Sequence, residues 1–151
     1  MSDNWITLIP TQPNYVPATM AIDEAEAMLR KHYHSDEPIA GEVSPRAKFH
    51  NPLANLESVS CPYCNSDLTD TFFAWCDELA DEEGELEAVD VEVPCCGRTA
   101  SLNNLKFEMP AGFSRFSISL MNPNVFEISP PHVEELQKIL GATLRQVFIH
   151  L

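Results

Sequence analysis

The sequence predicts an α+β fold with a mixed sheet and two helices, in an order that fits a split ferredoxin-like βαβ–βαβ arrangement. Two observations carry this prediction. Short segments with alternating apolar residues lie near both ends of the chain, and each end also holds one segment with helical apolar spacing. With 151 residues, of which 44% are hydrophobic, the chain suits a single domain spanning residues 1–151.

The N-terminal part supplies the first strand–helix–strand unit. Residues 5–9 predict a strand that ends at Pro10. Thr19 is predicted to cap a helix, which presents an apolar face of Ile22, Ala25, Met28 and Leu29. A short strand at residues 46–49 completes the unit.

The C-terminal part repeats the pattern. Phe116, Ile118 and Leu120 alternate with serines in a strand at residues 116–120. A helix then starts after the predicted N-cap Ser129, and Gly141 is its predicted C-cap. Alternating apolar residues predict a last strand at residues 147–151. The segment between the two units, about residues 56–104, is predicted to be an inserted zinc-ribbon-like subdomain with a helix at Thr69–Leu79.

The net charge of −14 restricts the partners of the protein. The chain has nine Lys and Arg residues and 23 Asp and Glu residues. A phosphate backbone or an anionic membrane surface would therefore be repelled. We therefore predict no nucleic-acid or membrane partner, and a basic protein partner that the acidic surface attracts. The polar N-terminus, the odd cysteine count and the lack of any stretch of roughly 18 apolar residues predict a cytoplasmic location.

Four of the five cysteines form two tight groups, which is typical of a metal site in a reducing compartment. The two-residue spacer between Cys61 and Cys64 lets both sulfurs face one ion. Zinc ribbons bring two such turns together, so that four thiolates bind one Zn²⁺. We predict a structural zinc site with Cys61, Cys64, Cys95 and Cys96 as ligands, because no catalytic zinc motif with histidine and glutamate accompanies them.

The sequence leaves more than one candidate for the fourth ligand. Cys95 and Cys96 are adjacent, whereas a regular zinc-binding turn separates its cysteines by two residues. Either Cys76 or a histidine such as His50 is an alternative to Cys95. We favour Cys95 because it lies in the same short turn as Cys96. Cys76 is then expected to pack as a small buried hydrophobic residue.

A redox enzyme is the alternative to a metal site. Cys61-Pro62-Tyr63-Cys64 is also the active-site sequence of glutaredoxins, whose first thiolate attacks disulfides. In glutaredoxins the motif follows the first strand and begins a long helix. Here it lies 60 residues into the chain and precedes the turn-forming segment Asn65-Ser66-Asp67. We predict that the protein is not an enzyme, with a thiol–disulfide oxidoreductase using Cys61 and Cys64 as the alternative.

An acidic run borders the second cysteine pair. Residues 77–92 contain nine carboxylates and no Lys or Arg. Most such runs are solvated loops, but this one adjoins the predicted zinc site and could receive a basic partner. The candidate partner-binding residues are Asp77, Glu78, Asp81, Glu82, Glu83, Glu85 and Glu87. Four phenylalanines farther along the chain are expected in the core: Phe107, Phe113, Phe116 and Phe126.

Several motifs together resemble a known group of proteins. They are Asp3-Asn4-Trp5-Ile6, Leu8-Ile9-Pro10-Thr11, the Cys-Pro-Tyr-Cys turn, Pro94-Cys95-Cys96-Gly97, Ser101-Leu102-Asn103 and Pro110-Ala111-Gly112-Phe113. Over most of its length the chain resembles small, uncharacterised bacterial proteins with an embedded four-cysteine zinc-ribbon-like turn. The resemblance implies zinc binding and a bacterial origin, and no established activity.

The predicted function is a non-catalytic, zinc-stabilised module that binds a basic protein. Its most concrete form is a bacterial immunity protein that neutralises a basic toxin, because such proteins are often small, acidic and cytoplasmic. This step rests on analogy. The alternatives are the thiol–disulfide oxidoreductase and an accessory subunit of a larger complex.

Overall fold

The computed structural model describes residues 3–51, 58–82 and 85–150. Within these ranges the chain forms nine strands, three α-helices and one 3-10 turn. In chain order these are β1 Asn4–Pro10, α1 Thr19–His32, β2 Gly41–His50, β3 Val59–Ser60, α2 Thr69–Leu79, β4 Glu85–Leu86, β5 Asp90–Val93, β6 Arg98–Ser101, the 3-10 turn Leu102–Asn104, β7 Lys106–Phe107, β8 Gly112–Met121, α3 Pro130–Leu140 and β9 Leu144–His150. None of these helices is long and apolar enough to cross a membrane.

Five strands form the main sheet in the order β4-β2-β8-β1-β9. The interior strand β1 pairs with β8 on one side and β9 on the other, so that Ile6 lies opposite both Leu120 and Phe148. Each βαβ unit leaves space for one strand between its own two strands: α1 links β1 to β2 across β8, and α3 links β8 to β9 across β1. The described pairings of this sheet are therefore antiparallel. This is the split ferredoxin-like arrangement, and the predicted α+β fold is confirmed.

Helices α1 and α3 cover one face of the sheet. Ile6 and Leu8 of β1 and Phe116 of β8 pack in one buried cluster with Leu29 of α1 and Leu136 of α3. The 3.6-residue spacing of the apolar side chains places them on the sheet-facing side of each helix. Each large apolar side chain buried in this way stabilises the fold by about 1.5–3 kcal/mol.

The sequence signals for the helix ends hold for α3 and fail for the start of α1. Ser129 occupies the N-cap position of α3, although its side chain makes no capping hydrogen bond, and Pro130 is the first helical residue. Gly141 follows the last helical residue, Leu140, as the C-cap with a left-handed φ of 77°. Glycine adopts this conformation without a steric penalty. The predicted cap Thr19 is instead the first residue of α1. Ala18 takes the N-cap position, and no side chain caps the helix there.

A second core lies on the opposite face of the sheet. Successive residues of a strand point to opposite faces, so Phe113 of β8, three residues before Phe116, points away from the side that Phe116 faces. The Phe113 ring stacks on Phe49 of β2 with centroids 4.7 Å apart, and Phe72 of α2 meets Phe49 edge-on at 5.3 Å. Buried residues of the segment between β2 and β8, including Val93, join this cluster. The inserted segment therefore packs against the sheet through its own apolar side chains.

Asn103 joins the inserted segment to the sheet. Its side chain is buried, and its amide nitrogen donates to the carbonyl oxygens of Thr11 and Phe113 at 3.0 and 2.8 Å. Its amide oxygen accepts the backbone N–H of Phe113 at 2.6 Å. Arg145 of β9 donates to the Asn103 carbonyl oxygen at 3.0 Å. These bonds connect the 3-10 turn to β8, to β9 and to Thr11, the residue that follows β1.

Two sequence predictions are wrong in their details. The predicted strand at residues 46–49 is part of the longer β2, whose pairing with β8 is irregular between Val43 and Lys48. Pro45 lies in this irregular part and has no N–H to donate, so the alternation is lost there. Phe126 was expected in the core, but 98% of its side chain is exposed. The chain after β8 turns so that Ile128, and not Phe126, enters the core.

Candidate metal centre

The first cysteine turn follows the short strand β3. The backbone N–H of Asn65 donates to the Cys61 carbonyl oxygen at 3.0 Å, and Asn65 has a left-handed φ of 62°. Asparagine tolerates this conformation better than most residues. The backbone N–H of Tyr63 donates to the Cys61 sulfur, with the nitrogen 3.4 Å away. The turn therefore aims the Cys61 and Cys64 side chains at the same point.

The second cysteine turn connects β5 to β6. Val93 and Arg98 are paired across the hairpin, and both cysteines lie in the loop between them. The Val93 carbonyl oxygen accepts the N–H groups of Cys96 at 3.3 Å and Gly97 at 2.8 Å. Gly97 has a left-handed φ of 66°. This closed turn fixes the directions of the two adjacent cysteine side chains.

Four sulfur atoms come together between the two turns. The sulfurs of Cys61, Cys64, Cys95 and Cys96 all lie within 4.8 Å of one another. The Cys64 and Cys95 sulfurs are 3.4 Å apart, and those of Cys61 and Cys96 are 3.9 Å apart. Four thiolates around a tetrahedral Zn²⁺, at Zn–S distances of about 2.3 Å, have sulfurs roughly 3.8 Å apart. The spacing of the four sulfurs therefore suits a four-thiolate metal site.

The thiols of Cys64, Cys95 and Cys96 influence one another's pKa values. Hydrogen bonds from Ser66, first from its hydroxyl and then from its backbone N–H, lower the pKa of Cys64 to about 6. The bond that Cys96 shares with Cys64 raises the pKa of Cys96 to about 12, and lost hydration raises that of Cys95. Once one thiol in the cluster has lost its proton, its negative charge makes ionisation of a second thiol less favourable. A divalent cation among the sulfurs would supply the positive charge that lets all four ionise.

Neither alternative for the fourth ligand belongs to this group. Cys76 lies on α2, where it packs against the second core, and burial raises its pKa to about 11. His50 ends β2, where burial and the nearby Lys48 lower its pKa to about 4. Among the described residues, the group that could hold a metal ion contains Cys95 and contains neither Cys76 nor His50.

The cluster differs in its ligand types from a typical catalytic zinc site, and its first turn differs from the active-site turn of glutaredoxins. Among the described residues, the group contains four cysteines and no histidine or carboxylate. Four protein ligands fill a tetrahedral site, whereas catalytic zinc keeps one position for water. No helix begins at Cys61, because α2 starts at Thr69, and the Cys61 side chain is buried. A helix N-terminus at the attacking cysteine, as in glutaredoxins, is therefore missing from this turn.

Some of the carboxylates predicted to bind a partner are exposed. Asp77 and Glu78 lie at the end of α2, Glu82 follows the helix, and Glu87 follows β4; all four are exposed. Glu83 lies outside the described residues. The exposed members of the predicted set therefore occupy the end of α2 and the loop before β5.

Two other carboxylates of the predicted set take part in the fold. Asp81 accepts the backbone N–H of Glu85 on its carboxylate at 3.0 Å, and its own N–H donates to the Glu85 carbonyl oxygen at 2.9 Å. The Asp81 carboxylate also lies 3.6 Å from the guanidinium of Arg46. Glu85 belongs to β4 and is 8% exposed. Both residues hold β4 beside β2 and leave little surface for a partner.

Helix α2 exposes one continuous face beside these carboxylates. Its exposed positions 70, 73, 74 and 77 follow the spacing of neighbours on a helix surface. They place Phe73, which is 46% exposed, between the carboxylates of Asp70 and Asp77. The helix contains no Lys or Arg. The outer face of α2 therefore combines an aromatic ring with negative charge, and sequence analysis did not single out Asp70 and Phe73 on this face.

Sequence analysis also missed residues that support the cysteine turns. The Ser66 hydroxyl oxygen lies 3.0 Å from the Cys64 sulfur, and the ammonium group of Lys106 donates to the Asn65 side-chain oxygen. The Tyr63 hydroxyl donates to the Thr99 carbonyl oxygen at 2.8 Å and so links the two turns. A hydroxyl two residues after a cysteine is a signal that could have pointed to Ser66. Lys106 lies on a distant strand and gives no local signal.

Comparison with known proteins adds no functional assignment to these features. The sequence matches no protein-family model, and neither the curated proteins nor the solved structures contain a significant match to it. The four-cysteine cluster and the acidic outer face of α2 are therefore the two features from which a function can be argued.

Proposed function

We propose that the four-cysteine cluster binds one Zn²⁺ and that this zinc stabilises the fold. The sulfur-to-sulfur distances of 3.4 and 3.9 Å support a tetrahedral ion. Thiolates are soft ligands that favour zinc over magnesium or calcium. The proposal includes a reducing compartment such as the cytoplasm, because thiols must stay reduced to bind the ion.

A structural role suits the position of the cluster. The two cysteine turns belong to different strand pairs, β3–β7 and β5–β6, which form no common sheet in the described residues. One ion bound by both turns would join these pairs directly. The low pKa of the exposed Cys64 favours a reactive thiol, but the buried Cys61 lacks the helix N-terminus that would activate it. We therefore favour structural zinc over a thiol–disulfide oxidoreductase.

We further propose that the protein is a non-catalytic module that binds a basic protein. The outer face of α2 carries this proposal, because Phe73 offers an aromatic anchor, Asp70 and Asp77 flank it with negative charge, and the exposed Glu78 adds a further carboxylate at the end of the helix. Aromatic residues often dominate binding energy at interfaces, and complementary charge speeds association. The most concrete form is a bacterial immunity protein that neutralises a basic toxin.

Charge reversal on α2 tests this proposal with a matched control. The variant Asp77→Lys/Glu78→Lys reverses two adjacent exposed carboxylates on α2. The control Glu134→Lys/Glu135→Lys makes the same change in charge at two adjacent carboxylates on α3. The tagged wild-type protein is first used to capture its partner from its own host at low salt. The affinity of the purified partner is then measured with all three proteins.

The expected partner has a net positive charge and binds the α2 variant at least about tenfold more weakly than the control. Its affinity should also fall as salt rises. Equal weakening by the two variants would contradict the α2 surface, because only overall charge would then matter. Capture of acidic or neutral subunits of a larger complex would contradict the basic partner and favour an accessory subunit.

A further inference from the structure

A polar pocket lies where the pairing of β2 with β8 is irregular. The register shifts between Val43 and Lys48, so that the four residues 44–47 of β2 face only Arg115 of β8. Extra residues in one strand bend it and disrupt the ladder locally. The pocket at this place has a volume of about 300 Å³ and is lined by Glu42, Val43, Ser44, Lys48, Arg115 and Ser117. None of these residues belongs to α2 or to the cysteine cluster.

Arg115 is held in place, yet most of its guanidinium group is free. Its Nε–H donates to the Ser44 carbonyl oxygen at 3.0 Å, and the Ser44 hydroxyl lies 3.2 Å from the Arg115 carbonyl oxygen. Its backbone N–H donates to the Pro13 carbonyl oxygen at 2.9 Å. The two terminal nitrogens of the guanidinium form no hydrogen bond within the described part of the chain. Their planar fork matches the two oxygens of a carboxylate.

Lys48 brings a second positive charge to the pocket. It lies opposite Glu85 of β4, yet no carboxylate of the described residues forms an ion pair within 4.0 Å of Lys48 or Arg115. The whole chain has only nine Lys and Arg residues, against 23 Asp and Glu residues. Two cations that line one pocket without an ion pair, in so acidic a protein, are therefore available to a carboxylate from outside.

Ser117 adds a buried hydroxyl group to the same pocket. The residue is 5% exposed, and its hydroxyl forms no hydrogen bond with any other described residue. A buried hydroxyl usually has a hydrogen-bond partner, because the loss of its hydration otherwise goes uncompensated. Since Ser117 lines the pocket, a polar molecule bound there would supply that partner.

Glu42 decides the charge of the ligand. It lies opposite Ser117 in the sheet, is exposed, and brings a carboxylate to the same pocket. In the described structure this carboxylate forms no ion pair within 4.0 Å of Lys48 or Arg115. It would repel a phosphate, as would the net charge of −14. A molecule that carries one carboxylate and one protonated amine can bind the cations and Glu42 at once.

We propose that this pocket binds a small zwitterion, namely a free α-amino acid. Its carboxylate binds Arg115 and Lys48 and accepts the hydroxyl hydrogen of Ser117, while its protonated amine donates to the Glu42 carboxylate. Val43 is 48% exposed and lines the pocket, so a short apolar side chain suits the ligand. A volume of about 300 Å³ is at the lower end for ligand pockets and fits a molecule of this size. The site is independent of the zinc ion and the basic partner proposed above.

Titration followed by heteronuclear NMR tests the site, with L-alanine as the probe. Acetate and methylamine, which carry its two charges separately, and inorganic phosphate are titrated in parallel. We expect L-alanine to shift the amide signals of Glu42 and Ser117 and to bind at least about tenfold more tightly than acetate or methylamine. No binding of L-alanine up to tens of millimolar, or shifts confined to other parts of the chain, would overturn the proposal.

Two variants distinguish a zwitterion site from a plain anion site. Lys48→Gln should weaken the binding of both L-alanine and acetate at least about fivefold. Glu42→Gln should weaken L-alanine by a similar factor but strengthen acetate, because it removes both the acceptor of the amine and a repulsive charge. The controls Lys138→Gln and Glu134→Gln make the same charge changes at exposed positions of α3 and should leave both affinities within about twofold of the wild type.

A plain anion site would give the opposite pattern. Phosphate would then bind more tightly than L-alanine, and Glu42→Gln would strengthen the binding of both. Either result would overturn the zwitterion. Equal weakening by Lys48→Gln and by its control Lys138→Gln would also overturn the site, because only the overall charge would then matter.

Discussion

The sulfur atoms of Cys64 and Cys95 lie 3.4 Å apart, although Cys95 is directly followed by a second cysteine of the same cluster. The adjacent cysteines approach different members of the first turn, since Cys96 lies 3.9 Å from Cys61. The Val93 carbonyl oxygen accepts the N–H groups of two successive residues and thereby holds the loop in this shape. Two neighbouring residues can therefore face one ion without the usual two-residue spacer.

Removal of metal should loosen the two cysteine turns before the rest of the fold. With a chelator, the amides of Asn65 and Gly97 should exchange hydrogen at least about tenfold faster, because the ion joins the two turns. The amides of Ile6 and Leu120 in the main sheet should change little. Hydrogen exchange with mass spectrometry checks this difference. Equal protection of the turns with and without chelator would contradict a structural ion.

The fourth ligand can be identified by comparing two cysteine variants. Cys95→Ser should weaken zinc binding by at least about 100-fold, because one of four thiolate ligands is lost. Cys76→Ala should bind zinc as the wild type does, since Cys76 packs against the second core. Competition with a chromophoric chelator measures both affinities. Weakened binding in Cys76→Ala with normal binding in Cys95→Ser would reverse the assignment.

Replacement of Asn103 should destabilise the whole fold. Asn103→Ala leaves the buried backbone groups of Phe113 without their partner, which costs about 2–4 kcal/mol of unfolding free energy. The neighbouring Asn104 is exposed, so Asn104→Ala should change that free energy by less than about 0.5 kcal/mol. Urea unfolding measures both. Similar values for the two variants would show that Asn103 does not connect the inserted segment to the sheet.

His50 should make stability depend on pH between about 4 and 6.5. Burial, with Lys48 nearby, lowers its pKa from 6.5 to about 4 in the folded protein. Between these values the unfolded chain binds a proton that the folded chain does not, so stability falls as pH decreases and stops falling below the folded pKa. The full effect is at most about 3 kcal/mol.

The variant His50→Gln separates this effect from other acid-sensitive groups. Unfolding free energies of the wild type and the variant are compared at each pH from 7 to 4. Any loss of metal affects both proteins, so it cancels in the difference between them. As pH falls from 7 to 4, the unfolding free energy of the wild type should decrease relative to that of His50→Gln. A difference that stays constant over this range would contradict the role of His50.

Local sequence signals accounted for much of the fold. The bounds of α2 agree with the prediction, and Ser129 and Gly141 correctly marked the ends of α3. These signals work because they depend on a few neighbouring residues. The strand β2 was only partly predicted, since Pro45 and the irregular pairing around it break the alternation on which strand prediction depends.

The directions of several side chains could not be predicted from the sequence, because they depend on tertiary contacts. The spacing of Cys61 and Cys64 predicted one turn, but the directions of Cys95 and Cys96 depend on the fold of the hairpin that holds them. Ser66 was within reach of a local signal. Phe126 is a large apolar residue of the kind usually found in a core, and its exposure depends on how the chain turns after β8. No local pattern encodes such a direction.

The zinc content of the wild type and of Cys61→Ser, measured by native mass spectrometry alongside thermal unfolding, tests the structural zinc site most directly. The wild type should carry one zinc ion per chain. Cys61→Ser should lose the ion and unfold at a lower temperature, because the buried Cys61 belongs to both the cluster and the second core. A Cys61→Ser protein that keeps its zinc and its melting temperature would contradict the structural site.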